Sequence, residues 1–352
     1  MSRKLVLALS VVVTIQTATL GKSLRDEANA LAAKSGANGI YLGGELTLPY
    51  HERLSFTVLR PGSNNLTGHF SKDYLSSTQW RERYDLGDYV RIRVRNGQQQ
   101  GDFRSAAYEP TIFAQLREAI PPVFVAFSNV DSVKKIDDQS IHGVKARCVQ
   151  YENPTHGSSY QGEVCFDGAT QMLLSWRRQT TGIVCITMCS VRETEWFDYS
   201  PYRERLYPRR FIMKLRGKPI IEVSVEFTPG DDLKPPAFSI PQGFEISKPC
   251  NHTSAPVRIE GDLPPFPHRI NEFEFEGTVL IQARIGVDGR VQDAQIARSP
   301  YSSTPSTSFF RGRRDVDSVL EDAVKKWQFE PARCDGAPMV DNVVFPVTVE
   351  VR

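Results

Sequence analysis

The sequence predicts an α+β protein, and three observations carry that expectation. Residues 22–247 alternate apolar and polar side chains in run after run, the period-2 pattern of antiparallel strands, with a few helical interludes. A stretch dense in Pro, Gly and polar residues follows at 248–268. From 269 to 352 the order is strand, strand, helix, strand, a small ββαβ unit with one helix packed on an antiparallel sheet. The expected plan is a β-rich domain at 22–247, a linker at 248–268 and a small domain at 269–352. The chain's 352 residues suffice for two cores. Its 40% hydrophobic and 24% charged residues are the balance of a soluble globular protein. A formal charge of +2 gives no ground for a nucleic-acid or membrane-surface partner.

Residues 1–21 read differently. Arg3 and Lys4 precede an apolar run, Leu5 to Leu20, with small residues Thr19 and Gly21 at its end. That is the layout of an export signal, with an uncleaved membrane anchor the alternative. Ser23 to Ser35 follows as an alanine-rich helix with Gly36 as its expected cap. "DYVRIRVRNG" sets Val90, Ile92 and Val94 against Arg91, Arg93 and Arg95 and ends in an Asn-Gly turn. The arginines read as the solvated face of a strand. "PTIFAQLREAI" is helical, with Ile112, Phe113 and Leu116 on one side. "RRFIMKLRGKPIIEVSVEF" is a hairpin that turns at Gly217, Lys218 and Pro219 and aligns Ile221, Val223, Val225 and Phe227.

All six cysteines lie after residue 21, and an oxidising compartment would let them pair. "VKARCVQY" and "GEVCFDG" read as neighbouring strands, so Cys148 and Cys165 are expected to form a cross-strand bridge. Cys250 and Cys334 are the second expected pair, tying the linker to the turn after the last helix. Cys185 and Cys189 would lie ~13 Å apart along one strand. A bridge tolerates about 7 Å at most, so they need a local turn or stay reduced.

In the last domain, "GTVLIQARIGVDGRV" places Val279, Ile281, Ala283, Ile285 and Val287 on one face and turns at Asp288-Gly289. The return strand changes phase between Val291 and Ile296, the mark of a bulge. From Asp315 a helical stripe runs through Val316, Val319, Leu320, Ala323, Val324 and Trp327. Trp327 and Phe329 read as anchors of this helix, Pro331 as its stop, and Asp335-Gly336 as the turn into the last strand. That strand alternates Val343, Phe345, Val347 and Val349 with Val344, Pro346 and Thr348.

These residues resemble the TonB C-terminal domain. The resemblance rests on Phe266-Pro267, Gly277, Val279, Gly289, Ser299, the run Trp327-Gln328-Phe329-Glu330-Pro331-Ala332, Gly336 and Pro346. It covers about the last quarter of the chain. The stretch "PYSSTPSTSFFRGRRD" is longer than the loop usual there. No histidine precedes His51, whereas the family's membrane helix carries one, and the family's long spacer is missing. The resemblance implies a periplasmic domain that binds an outer-membrane transporter, or another envelope protein, by strand addition. The implied contact residues are Val343, Val344, Phe345, Pro346, Val347, Thr348 and Val349, with Gly289, Trp327, Phe329, Pro331 and Gly336 structural. From the residues alone, an edge holding Pro346 reads first as one blunted against aggregation, and it is the resemblance that turns the reading towards binding.

The first domain resembles LolA-type periplasmic lipoprotein carriers through its opening helix, "QWRERYDLGDYVRIRV", and "LYPRRFIMKLRGKPIIEVSVEF" with "PPAFSIPQGFEI". That resemblance implies a half-barrel over an apolar hollow suited to a lipid or acyl chain, and gives the rival function, a carrier for which the last domain is a docking module. No nucleophile, zinc or nucleotide motif is present, and the histidines (His51, His69, His142, His156, His252, His268) lack ligand spacing. A non-enzymatic protein without metal or cofactor is expected.

Overall fold

The computed structural model describes residues 24–40, 46, 48–59, 64–110, 112–113, 116, 132–155, 158–182, 191–250, 252–262, 275–296 and 313–351. The expected export signal, Cys185 and Cys189 lie outside them. In chain order the strands are β1 (Tyr50–Val58), β2 (Leu66–Ser76), β3 (Gln79–Leu86), β4 (Tyr89–Asn96), β5 (Gln99–Arg104), β6 (Ser132–Ile141) and β7 (Val144–Thr155). Then come β8 (Ser158–Asp167), β9 (Leu173–Gly182), β10 (Val191–Tyr202), β11 (Arg205–Leu215), β12 (Lys218–Pro229) and β13 (Glu245–Ser247). The remainder are β14 (Thr253–Ser254), β15 (Val257–Glu260), β16 (Phe275–Ile285), β17 (Val291–Ile296), β18 (Gln328–Glu330), β19 (Ala332–Cys334), β20 (Ala337–Met339) and β21 (Asp341–Val351). Helix α1 covers 24–38 and helix α2 covers Arg313–Val324.

The architecture is mostly β, which corrects the α+β expectation. Among the described residues, helix is confined to α1, α2, positions 112–113 and 116, and a 3-10 turn at Pro235–Phe238. The C-terminal part is also more than a bare ββαβ unit. The stretch read as a linker contributes β14 and β15, which pair with β19 and β18. The run read as the end of a helix is itself β18: α2 stops at Val324, and Pro331 separates β18 from β19. The apolar period misled here because Trp327, three residues after Val324, continues the helical stripe past the point where α2 ends.

The chain divides into two compact units that interleave in sequence, Met1–Leu59 with Gln115–Asp231, and Arg60–Ala114 with Asp232–Arg352. In the first, antiparallel strands run in the order β1-β12-β11-β10-β9-β8-β7-β6. Leu54, Phe56 and Val58 of β1 and Ile221, Val223, Val225 and Phe227 of β12 are all buried, as alternation requires. The β11–β12 turn falls at Arg216 and Gly217, both at positive φ, so Lys218 and Pro219 already belong to the strand. Helix α1 passes through Gly36, its expected cap, and ends where Gly39 N–H donates to the Ser35 carbonyl at 2.8 Å. Cys148 lies directly opposite Cys165 and is bonded to it, with Cα atoms 4.0 Å apart.

In the second unit β2-β3-β4-β5 form an antiparallel meander, and β13 pairs antiparallel with β5. One face packs Val94 against Leu233 and Phe238. The other departs from expectation: Arg91 is not solvated. Its side chain is 13% exposed and pairs with Asp102 at 2.8 Å and Glu109 at 3.3 Å. Three further small sheets, β14-β19-β20, β15-β18 and β17-β16-β21, complete the unit. Cys250 and Cys334 are bonded across 84 residues, with Cα atoms 5.2 Å apart.

Candidate partner-binding edge

The site is the outer side of β21. Its inner side pairs with β16 in unbroken register from Phe275↔Val351 to Ile285↔Asp341. Among the described residues no strand pairs with its outer side.

Three observations fix which backbone groups face outward. Gly286 N–H donates to the Arg290 carbonyl at 2.8 Å, so even-numbered residues of β16 face β17 and odd-numbered ones face β21. Consistently, the N–H of Ile296, opposite Ile281, turns instead to Glu321 Oε1 at 2.9 Å. Asn342 N–H, at the head of β21, bonds Asp341 Oδ1 at 2.8 Å rather than the neighbouring strand. Hence Val343, Phe345, Val347 and Val349 direct their N–H and C=O to β16. Asn342, Val344, Pro346, Thr348 and Glu350 direct theirs outward. Pro346 therefore sits where its missing N–H costs no internal bond. The outward donors available to a guest strand are the N–H groups of Val344, Thr348 and Glu350.

Side chains follow the same alternation. Val343, Phe345 and Val347 pack with Ile281, Ala283, Ile285, Leu320 and Val324 in the core beneath α2. Val344, on the opposite face, is 43% exposed. Trp327 and Phe329 are both buried and meet at Phe345: the Trp327 ring stacks on it at 5.6 Å and the Phe329 ring lies at 5.9 Å. Trp327 Nε1–H donates to the Asp262 carbonyl at 3.2 Å, and the Arg258 guanidinium covers its ring at 4.7 Å. Gly261 lies so near this indole that a Cβ would overlap it, and a Cβ on Gly289 would strike the Phe329 carbonyl. Both glycines take positive φ. The two aromatics thus fix the receiving strand as well as the helix. Asp335 and Gly336, also at positive φ, form the β19–β20 turn. Val287 differs from expectation: it leaves the strand face for the turn and is 53% exposed. The expected bulge is present on β17, where Val291 pairs with Ile285 and Asp293 with Arg284, passing over Gln292.

The sequence did not reveal the segment that crosses the polar face of this sheet. Ser105–Pro110, following β5, lays its backbone against it. Gln282 Nε2–H donates to the Glu109 carbonyl at 2.7 Å, and Tyr108 hydroxyl donates to Asp293 at 2.9 Å. Asn342 Nδ2–H reaches the Ala107 carbonyl at 3.4 Å. Burial, the hydrogen bond and the nearby Asp293 charge hold the Tyr108 hydroxyl far above its ordinary titration range. Burial likewise raises Asp341, against the opposing pull of the Asn342 N–H, Arg104 and Arg91. For Asp102 burial pushes upward, but hydrogen bonds from Arg91 and Arg104 win and hold it below the usual carboxylate range. Among the described residues the segment reaches β21 at Asn342 and no farther along it.

The described residues contain no group of His, Cys, Asp and Glu able to hold a metal ion, and no described helix is long and apolar enough to cross a membrane. No protein-family model matches the chain. A stretch of 101 residues is 28% identical to the protein TonB of Escherichia coli (strain K12), covering 28% of this chain and 37% of TonB. The chain thus matches well under two thirds of that relative's length. Among solved structures it is similar to a LolA superfamily protein of Nitrosomonas europaea, with a TM-score of 0.37, 6% identity, and coverage of 60% of this chain and 97% of that one. The MucA/MucB complex of Pseudomonas aeruginosa gives a TM-score of 0.25 with 11% identity, over 76% of this chain and 81% of that one. At TM-scores this low the structural likenesses carry no conclusion about fold or function. The TonB match is a local sequence similarity.

Proposed function

We propose that this chain is an envelope protein that binds a partner by strand addition at β21, without catalysis of its own. The observation that carries the reading is the one-sided pairing of β21, with Pro346 in an outward position and the N–H groups of Val344, Thr348 and Glu350 outside the sheet. Backbone groups at such an edge supply affinity, and alternate side chains supply selectivity. The local similarity to TonB and the two disulfides support an oxidising compartment, the periplasm, and an extended segment of an outer-membrane transporter or other envelope protein as the guest. The rival reading is a carrier of lipid or acyl chains in the first unit. The two grooves described there are lined mainly by polar and charged side chains, whereas an acyl chain needs apolar walls, so among the described residues no groove of that kind carries it. Full-length chain immobilised against outer-membrane extract tests the proposal. Capture should fall when Val344 is replaced by proline and persist when the exposed Val287 is replaced by serine. Equal capture by both variants would remove β21 as the site.

A further inference from the structure

In the first unit the sheet forks between β11 and β12. Their ladder runs from Leu215↔Lys218 to Arg210↔Ser224 and stops. Beyond it β11 stays with β10, pairing Tyr207↔Ser200 and Leu206↔Pro201. β12 stays with β1, pairing Arg53↔Glu226 and Glu52↔Phe227. Pro208 stands two residues past the last pair and brings no N–H, a local reason for the ladder to end. Farther out the fork is plugged. Ile40 N–H donates to the Leu206 carbonyl at 2.9 Å, and the Tyr202 hydroxyl reaches the Thr228 carbonyl at 3.4 Å. A cavity of about 900 Å³ is lined by both banks of the fork.

Its lining has a definite chemistry. Arg53, Arg209 and Arg210 line it with Asp198 and Glu226, three cations to two carboxylates. Arg53 is partly committed, donating to the Glu52 carbonyl at 3.0 Å and lying 3.3 Å from His51 Nδ1. Arg210 is partly committed, 3.5 Å from Asp198 and 4.7 Å from the Phe197 ring. Arg209 is exposed and makes no hydrogen bond or ion pair among the described residues. Ser55 and Ser224, opposite each other on β1 and β12, add hydroxyl donors. Tyr207 and Phe227, with rings 5.1 Å apart, add an apolar wall.

We propose that this fork binds a small ligand bearing an oxyanion, a phosphate or carboxylate, with an apolar portion lying against Tyr207 and Phe227. A guanidinium presents parallel N–H donors that match such an oxyanion, and hydroxyls complete its coordination. The ladder at one end and the plug at the other exclude a threading chain, so the ligand is short. A volume within the usual range of about 300–1,000 Å³ for ligand sites agrees. A free metabolite and a lipid headgroup share this chemistry.

Calorimetric titration of the full chain with inorganic phosphate and with phenyl phosphate tests it, alongside flotation with phosphatidylglycerol and with phosphatidylcholine vesicles. The variants are Arg209→Gln and, as a control in the other unit, Arg290→Gln. Phenyl phosphate should bind more tightly than phosphate, and Arg209→Gln should weaken it about tenfold or more, the worth of one charged hydrogen bond. Arg290→Gln should leave binding unchanged. Binding of the soluble probes alone identifies a free oxyanion. Binding to phosphatidylglycerol vesicles that is lost in Arg209→Gln identifies a headgroup, and either result supports the site. No binding in any arm, or binding that Arg209→Gln leaves unchanged, overturns it.

Discussion

Proline substitutions at Val344 and Val347 separate the two sides of β21 in one experiment. Val347 is 5% exposed, and its N–H points to β16 opposite Val279. Val347→Pro removes that bond, leaves an acceptor unsatisfied at about 1–3 kcal/mol, and puts a ring that cannot donate on the side of β21 that pairs with β16. The expected loss is about 2–4 kcal/mol, a large share of the whole stability of a domain. Val344 is 43% exposed, and its N–H points outward. Val344→Pro should therefore change stability by no more than about 1 kcal/mol, the range of surface substitutions with a restricted backbone. It removes one donor from the guest and places a ring beside it, so affinity should fall about tenfold or more. Circular dichroism in a urea titration reads the first effect, and binding to a partner recovered from outer-membrane extract reads the second. If both variants fold and bind like the native chain, strand addition at this edge is wrong. If Val344→Pro unfolds while Val347→Pro does not, the assignment of inward and outward residues is reversed.

Other consequences are independent of any partner. Trp327→Ala should cost about 3–5 kcal/mol, since the indole is buried against Phe345 and Gly261; chemical denaturation checks this. Opening the Cys250–Cys334 bridge, which spans 84 residues, should cost about 4–5 kcal/mol on the loop-entropy estimate; denaturation of the Cys250→Ser, Cys334→Ser double variant measures it. Asp102 titrates below its ordinary range in the folded state, so its contribution is present above the unfolded carboxylate value, about 3.9, and is lost as pH falls through the lower folded value. Asp102→Asn should accordingly be less stable near neutral pH and should flatten the acid limb of the stability–pH profile.

Much of the ladder was legible in the sequence. Alternation alone marked β4, β7, β8, β12, β16 and β21, and the phase change between Val291 and Ile296 announced the bulge at Gln292. These signals are local, because one face of each strand is buried. What failed depended on distant partners. Arg91 looked like a solvated strand residue, yet Asp102 and Glu109, 11 and 18 residues on, hold it largely buried. Thr253–Ser254 and Val257–Glu260 looked like linker because the stretch around them is dense in Pro, Gly and polar residues, and their side chains are indeed exposed. Their strand character comes only from pairing with β19 and β18. The edge residues Val343 to Val349 were legible as a strand. Which of them face outward needed the register with β16 and the hydrogen bonds of Gly286, Ile296 and Asn342.

Residue-resolved amide exchange along β21 tests the central claim most directly, in the free chain and with bound partner. In the free chain the amides of Val344, Thr348 and Glu350 should exchange rapidly, while those of Val343, Phe345 and Val347 are protected by β16. Partner binding should then protect Val344, Thr348 and Glu350. Protection of those three before any partner is added, or exchange unchanged in the complex, would contradict the account.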